Sequence, residues 1–206
     1  MTGPLYENWA RKETFDFFSR LSDPFYSVTF RLDVTRLYEF CRERGLSFYY
    51  ALIYLSTQAI NETEAFTYAL RGGELVRLPA RRPSFTDLRK GEERFYIVTM
   101  PCEGGIGDFC RAARQKSAAQ TDFIDLSQEG DDLIFFSCLP WLDLSALTNE
   151  RDFDPDDAIP RLAWGKYVRR GGRLELGYSA EVNHRFIDGL HLGRFGERLQ
   201  EMIDAL

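Results

Sequence analysis

The spacing of apolar and polar residues changes period several times along the chain, and each change marks an element. Val28, Phe30 and Leu32 alternate with Thr29, Arg31 and Asp33, the two-residue period of a half-buried strand. Asp33 or Thr35 then caps a helix that runs to about Arg44 and stops at Gly45. From Ser47 to Asn61 the period becomes helical. Phe48, Leu52, Leu55 and Ala59 share one face, and Tyr49, Ile53 and Ile60 widen it into a stripe that predicts deep burial. Phe66 to Arg71 and Glu74 to Leu78 flank Gly72-Gly73 as a hairpin, and strands are expected at Ser84 to Leu88 and Arg94 to Met100. A helix follows at Asp108 to Ala119, then a strand at Asp131 to Leu139 whose apolar run Leu133 to Phe136 suits a central place in a sheet. Leu162 to Arg169 and Arg173 to Asn183 read as a long hairpin around Gly171-Gly172. A last helix starts near Gly189, with Leu192, Phe195, Leu199, Met202 and Leu206 at helical spacing. At the other end a short helix opens at Asn8-Trp9-Ala10-Arg11-Lys12-Glu13 and passes through Phe15, Phe18 and Leu21 until Asp23-Pro24 ends it. The expectation is one α/β domain over residues 1–206, a two-layer sandwich with a mixed, mostly antiparallel sheet covered by helices on one face.

Charge narrows the partners. The 26 basic and 32 acidic residues leave a net charge of −6, against the basic face that nucleic acids and anionic membranes demand. The longest apolar run, Tyr49 to Leu55, falls far short of the ~20 residues that span a bilayer. Residues 1–21 carry charges throughout without the apolar core of a signal peptide, so a soluble, cytoplasmic protein is expected. Four cysteines (Cys41, Cys102, Cys110, Cys138) without a C-x-x-C spacing read as small hydrophobes, with no metal site. At 15%, the aromatic content suits a large core, a subunit interface or an apolar pocket.

Candidate chemistry concentrates where the last strand meets the last helix. Both histidines of the chain, His184 and His191, lie there, in Asn183-His184-Arg185-Phe186-Ile187-Asp188-Gly189 and just beyond. A residue leaving a strand into a tight Asp-Gly turn stands at the edge of a cleft, and imidazole titrates in the range useful for proton transfer near neutrality. A hydrogen-bonded structural histidine remains open on these residues alone. His184, Asp188 and His191 form no regular metal-ligand face across so tight a turn. Cys138 is the one cysteine placed for nucleophilic chemistry, and it needs a nearby base. Gly104-Gly105-Ile106-Gly107 lacks the third glycine of a dinucleotide fingerprint and the Lys-Ser/Thr of a phosphate loop, so it reads as a strand-to-helix turn. The stretch Asp152-Phe153-Asp154-Pro155-Asp156-Asp157 lacks the glycine and distal glutamate of a calcium loop, and is expected to be a solvated surface loop.

His184-x-x-x-Asp188-Gly189 is a motif shared by several acyltransferase families, and Asn183-His184-Arg185 resembles the dihydrolipoamide type at that one spot. The rest of the chain resembles the chloramphenicol acetyltransferase family. The matching segments are Asn8-Trp9-x-Arg11-Lys12-Glu13-x-Phe15, Phe48-Tyr49, Gln58-Ala59-Ile60-Asn61, Ser137-x-Leu139-Pro140-Trp141, Gly165-Lys166-Tyr167 and Asp188-Gly189-x-His191-x-Gly193-Arg194, in family order and at near-family spacing. The resemblance implies a homotrimer with active sites between subunits, acetyl-coenzyme A as co-substrate, and no tightly bound cofactor. It implies His184 as the general base and Ser137 as the hydroxyl that stabilises the tetrahedral oxyanion, with both substrates in one ternary complex. Arg11, Asp188 and Gly189 become structural support of the site, Asp188 pairing with Arg11 instead of completing a triad. Phe17, Phe18, Tyr26 and Phe95 become the acceptor lining, and Tyr49, Lys166 and Tyr167 the coenzyme contacts.

Departures from the family pattern bear on the acceptor. A histidine pair is replaced by Asn183-His184, a threonine by Ala163, small residues after the pocket phenylalanine by Tyr96 and Ile97, and a lysine by Ser47. Acetylation of chloramphenicol, inactivating the antibiotic, is the activity the resemblance implies. Another small hydroxylated or amino acceptor is the alternative, and a binding protein that lost turnover is disfavoured by the intact His184, Ser137, Asp188 and Arg11.

Overall fold

A computed structural model describes residues 3–206. Its central layer is a sheet in the order β1-β9-β7-β6-β4-β5, with β8 also paired to β9. The strands are β1 (Phe25–Asp33), β4 (Arg82–Leu88), β5 (Phe95–Thr99), β6 (Leu133–Leu139), β7 (Arg161–Gly165), β8 (Val168–Arg170) and β9 (Arg173–Asn183), while β2 (Tyr68–Arg71) and β3 (Glu74–Arg77) form a separate ribbon. β6 lies between β4 and β7 and runs parallel to both, whereas the other pairings in the sheet are antiparallel. A strand flanked on both sides needs apolar residues on both faces, which is why its Leu133–Phe136 run reads as central.

Helices cover one face: α3 (Thr35–Arg44), α4 (Phe48–Glu62), α5 (Ile106–Ala119) and α6 (Gly189–Asp204). α4 touches each of the other three and lies against the sheet, burying nine of its residues. Ser47 caps it, Oγ accepting from the Tyr50 N–H at 3.4 Å, and Gly45 ends α3 with φ 65°, a left-handed geometry that favours glycine. On β7 and β9, Trp164, Leu176, Tyr178, Ala180 and Val182 are buried in the core that the helices and sheet share. The opposite parity puts Ala163, Ser179, Glu181 and Asn183 on the other face.

That second face is half covered. Residues 140–160 return across β7 and β9, passing so close to Gly165 and Gly177 that a Cβ at either would collide with backbone of Leu142 or Leu144. The crossing breaks the strand expected over 162–169. Lys166 donates its N–H to the Leu142 carbonyl at 2.7 Å, and between the Trp164–Tyr178 and Val168–Glu175 pairs the β7–β8 side uses one residue more than β9, as in a bulge.

Other boundaries moved. The first helix is two pieces, α1 (Pro4–Glu7) and α2 (Lys12–Phe18), with Asn8 and Trp9 in the break, and α2 stops three residues before Leu21. Phe66 lies in a 3-10 turn ahead of β2, its N–H bonded to the Thr63 carbonyl. The acidic stretch around Asp156 is the expected surface loop, with Asp152 to Asp156 all exposed. Side chains from the body of the fold tether it there: Arg185 Nη1 donates to the Pro155 carbonyl and to Asp156, both at 2.6 Å, and Arg161 holds Asp157 at 2.8 Å. Arg161 follows Asp157 by four residues, whereas Arg185 comes from the segment after β9, and local composition carries no trace of that second partner.

Candidate active site

β9 delivers His184 one residue past its last ladder pair, Phe25 with Asn183. The His184 N–H still donates to the Pro24 carbonyl at 2.8 Å, so the strand geometry carries through to the residue. Its ring stacks on Phe18, centroids 3.8 Å apart, and lies 4.3 Å from the Tyr26 ring. Neither ring nitrogen has a hydrogen-bond partner among the described residues. Burial and the Arg11 charge lower the His184 pKa from its ordinary value, against an opposing pull from Asp188. The imidazole is therefore neutral at pH 7, the form that accepts a proton.

Arg11 holds the turn after His184 through three bonds. Nη2 donates to the His184 carbonyl at 2.7 Å, Nε to the Arg185 carbonyl at 3.1 Å, and Nη1 to Asp188 Oδ2 at 2.5 Å. Asp188 uses its other oxygen to cap α6, accepting from the Leu190 and His191 N–H groups, while His191 Nδ1 accepts the Asp188 N–H at 3.1 Å. Burial alone would raise the Asp188 carboxyl; the Arg11 bond and charge outweigh it and hold the group below its ordinary value. Among the described residues no hydrogen bond joins Asp188 to the His184 ring. Gly189 opens α6, and a Cβ there would meet nothing within 4 Å, so neither crowding nor a positive φ demands glycine at this position.

Ser137 lies elsewhere on the same chain. It pairs with Ala163 on β7, which pairs with Ser179 on β9, five residues short of His184. Two strand spacings and five strand residues separate the two side chains by roughly 20 Å. Ser137 opens into a cavity of about 470 Å³ on the uncovered face, walled by residues that include Thr86, Ile97, Ile124, Phe135 and Arg161. A groove of about 780 Å³ behind Arg11 and His191 is larger, yet neither His184 nor Ser137 lines it.

The sequence candidates thus divide between two places. Phe18 and Tyr26 flank His184, and Phe17 stands beside Phe18, 61% exposed. Tyr26 is pushed up to about 12 by burial and the Asp188 charge. Phe95 lies on the Ser137 side of the sheet but outside the cavity wall: it shares the face of Ile97 on β5 and packs on Phe123 at 5.3 Å. Tyr96, expected beside Ile97 in the acceptor region, points to the opposite face, where Arg89 covers its ring. Of the coenzyme candidates, Lys166 and Tyr167 occupy the exposed bulge between β7 and β8, Tyr167 packing on Tyr38 and Phe48. Tyr49 does not present a free hydroxyl: it donates to the Thr86 carbonyl at 2.5 Å and packs against Phe85 and Trp164, and burial raises its pKa. Burial also pushes Cys138 up to about 12 and Cys102 and Cys110 up to about 11, so none of these supplies a thiolate. Among the described residues no three His, Cys, Asp or Glu side chains gather in a metal-holding group, and no helix is long and apolar enough to cross a membrane.

Two residues escaped the sequence reading. Arg161 lines the cavity beside Ser137, and starting the strand at Leu162 left it out; its parity with Ala163 was the available signal. Asn183, a departure from the family's histidine, anchors the acidic loop by donating to the Pro155 and Asp157 carbonyls at 2.8 and 3.0 Å.

The sequence profile of chloramphenicol acetyltransferase matches residues 5–200. The chain belongs to the chloramphenicol acetyltransferase family. Relatives include chloramphenicol acetyltransferase 3 of Escherichia coli, 28% identical over 203 residues that cover 97% of this chain and 95% of that protein. A chloramphenicol acetyltransferase of Bacillus pumilus is 26% identical, with 96% and 91% covered. Among solved structures, a chloramphenicol acetyltransferase superposes with a TM-score of 0.86 at 25% identity, covering 96% of this chain and 97% of that one. An Azotobacter vinelandii dihydrolipoamide acetyltransferase shares the fold, with a TM-score of 0.68 at 18% identity over 93% and 85% of the two chains. The protein is an acyltransferase, of a family that draws its acetyl group from acetyl-coenzyme A.

Proposed function

We propose that the protein transfers the acetyl group of acetyl-coenzyme A to a hydroxyl of chloramphenicol, in a ternary complex, at sites formed between the subunits of a cytoplasmic homotrimer, with antibiotic resistance as the consequence. The observation that carries this reading is the imidazole of His184, held between Phe18 and Tyr26 with both ring nitrogens uncommitted. The roughly 20 Å between His184 and Ser137 within one chain supports a site shared by two chains, since both groups must reach one thioester carbonyl. His184 from one subunit then faces the Ser137 cavity of its neighbour.

A ring nitrogen of His184 removes the acceptor hydroxyl proton as that oxygen attacks the thioester carbonyl carbon. The Ser137 hydroxyl donates to the oxyanion that forms. Collapse breaks the carbon–sulfur bond, the leaving thiolate takes the proton back from the imidazolium, and acetyl ester and coenzyme A depart. General-base catalysis of this kind supplies about 10²–10⁴-fold, and one oxyanion donor about 10²–10³-fold. Arg11 and Asp188 fix the turn that aims His184 and take no proton. Lys166 and Tyr167, exposed on the bulge, are the coenzyme contacts best placed to reach a second molecule, the lysine for phosphate and the tyrosine for adenine. Tyr49 acts from beneath as packing.

Ile97 and Ala163 sit on the cavity side of the sheet, and both depart from the family pattern, so a different small hydroxylated or amino acceptor is the second reading. One assay separates the two. Free thiol release from acetyl-coenzyme A is followed with and without chloramphenicol, for wild type and His184→Ala. Rapid release that needs both chloramphenicol and His184 is expected; slow release despite tight coenzyme binding would discard chloramphenicol and keep the chemistry.

A further inference from the structure

Arg161 is the one cationic side chain among the residues lining the Ser137 cavity. It lies two residues before Ala163 on β7, and Ala163 is the ladder partner of Ser137, so the two side chains share a face with backbones roughly 8 Å apart. The guanidinium is fixed on one side only. Nη1 donates to Asp157 at 2.8 Å and to the Ile159 carbonyl at 3.2 Å, and the Phe135 ring lies 5.4 Å from its central carbon. Nε and Nη2 have no hydrogen-bond partner among the described residues. A planar donor pair, held still by an ion pair and an aromatic ring, costs little further entropy to engage an oxygen of a bound molecule.

We propose that Arg161 is a specificity-determining residue of the acceptor site, donating to a carbonyl, amide or nitro oxygen of a hydroxylated acceptor that is neutral or cationic overall. The proposal rests on the Ser137 cavity being where the acceptor binds. Overall anionic acceptors are excluded by charge: Asp157 already balances the guanidinium, and the remaining charged lining residues are Asp125, Glu129 and Glu150. Neutral apolar acceptors without such an oxygen leave the donors desolvated and unpaired, which binding penalises.

The test uses three probes: chloramphenicol, its analogue with hydrogen in place of the nitro group, and its free amine, which lacks the amide carbonyl. Wild type is expected to have a higher KM for at least one of the two truncated probes. In Arg161→Met the KM for chloramphenicol should rise about 10- to 100-fold, the range of a charge-assisted hydrogen bond, and the discrimination between probes should vanish. The KM for acetyl-coenzyme A should stay within a few-fold, and Arg161→Lys should recover part of the discrimination. Equal losses of kcat for all three probes together with a lowered melting temperature would make Arg161 purely structural and overturn the proposal, as would unchanged discrimination in Arg161→Met. Calorimetric binding of the same probes without acetyl-coenzyme A keeps the proposal separate from the catalytic reading. Binding that weakens in Arg161→Met without any turnover in wild type sinks only the latter, and no binding of any probe to wild type overturns the acceptor class.

Discussion

A general base works only while unprotonated, and at His184 burial and the nearby Arg11 charge both favour that state. The pH profile of kcat/KM should therefore rise with pH through a pKa below 6.5 and be level at neutrality. Asp188 is the one influence that raises the His184 pKa, so Asp188→Asn should move the rising limb to lower pH, read from the same profile. His184→Ala should cost about 10²–10⁴-fold in kcat and Ser137→Ala about 10²–10³-fold, measured by thiol release. Little change in melting temperature is expected for Ser137→Ala. Its side chain opens on a cavity, and its removal leaves no buried partner unpaired.

At the scale of elements, the turn between β9 and α6 and the surface loop around Asp156 are both tethered by arginines. Asp188→Asn keeps an N-cap acceptor for α6 but loses the charge facing Arg11, so it isolates that pair from the cap. Asp188→Asn should cost about 1–3 kcal/mol, Arg11→Met more because it also frees the His184 and Arg185 carbonyls, and the double variant little more than Arg11→Met alone, as denaturant titration would show. Strictly additive losses would count against the pair. The pH sense follows from the depressed Asp188 carboxyl: its contribution is complete above the unfolded pKa and is lost as pH falls through the lower folded one, so wild type and Asp188→Asn should converge in stability below about pH 4. Asn183→Ala would leave the Asp157 carbonyl without its Asn183 donor, while Arg185 still serves the Pro155 carbonyl, at about 1–3 kcal/mol, with a smaller loss of kcat than His184→Ala.

At the scale of the whole molecule, the two proposed catalytic side chains of one chain stand far apart. His184 with Phe18 and Tyr26 lies past one end of β9, and Ser137 with Ile97 and Arg161 looks into the cavity two strands away. In the proposed three-fold ring, His184 of one chain would meet Ser137 of a neighbour. Co-expressing His184→Ala and Ser137→Ala chains tests this directly. Each inactive variant retains the half the other lacks, and every mixed trimer regains one complete site. Random assembly at equal amounts should then restore about a quarter of wild-type activity. No recovery above the separate variants would mean that each chain forms its own site.

Periodicity and turn chemistry were local, and so were legible: the buried α4, the glycine stop at Gly45, the central β6 and the Asp-capped start of α6 all follow from residues within one helical turn or strand of each other. Segment-by-segment resemblance extended that reading to His184, Ser137 and the Arg11–Asp188 pair. Tertiary structure alone decided what long-range partners decide. Arg185 tethered an exposed acidic loop at Pro155 and Asp156, and residues 140–160 crossing Gly165 and Gly177 broke one strand into two. Ladder register set Ile97 and not Tyr96 on the cavity side and kept Ser137 far from His184. Such outcomes depend on which strands pair and at what offset, information that no window of neighbouring residues carries.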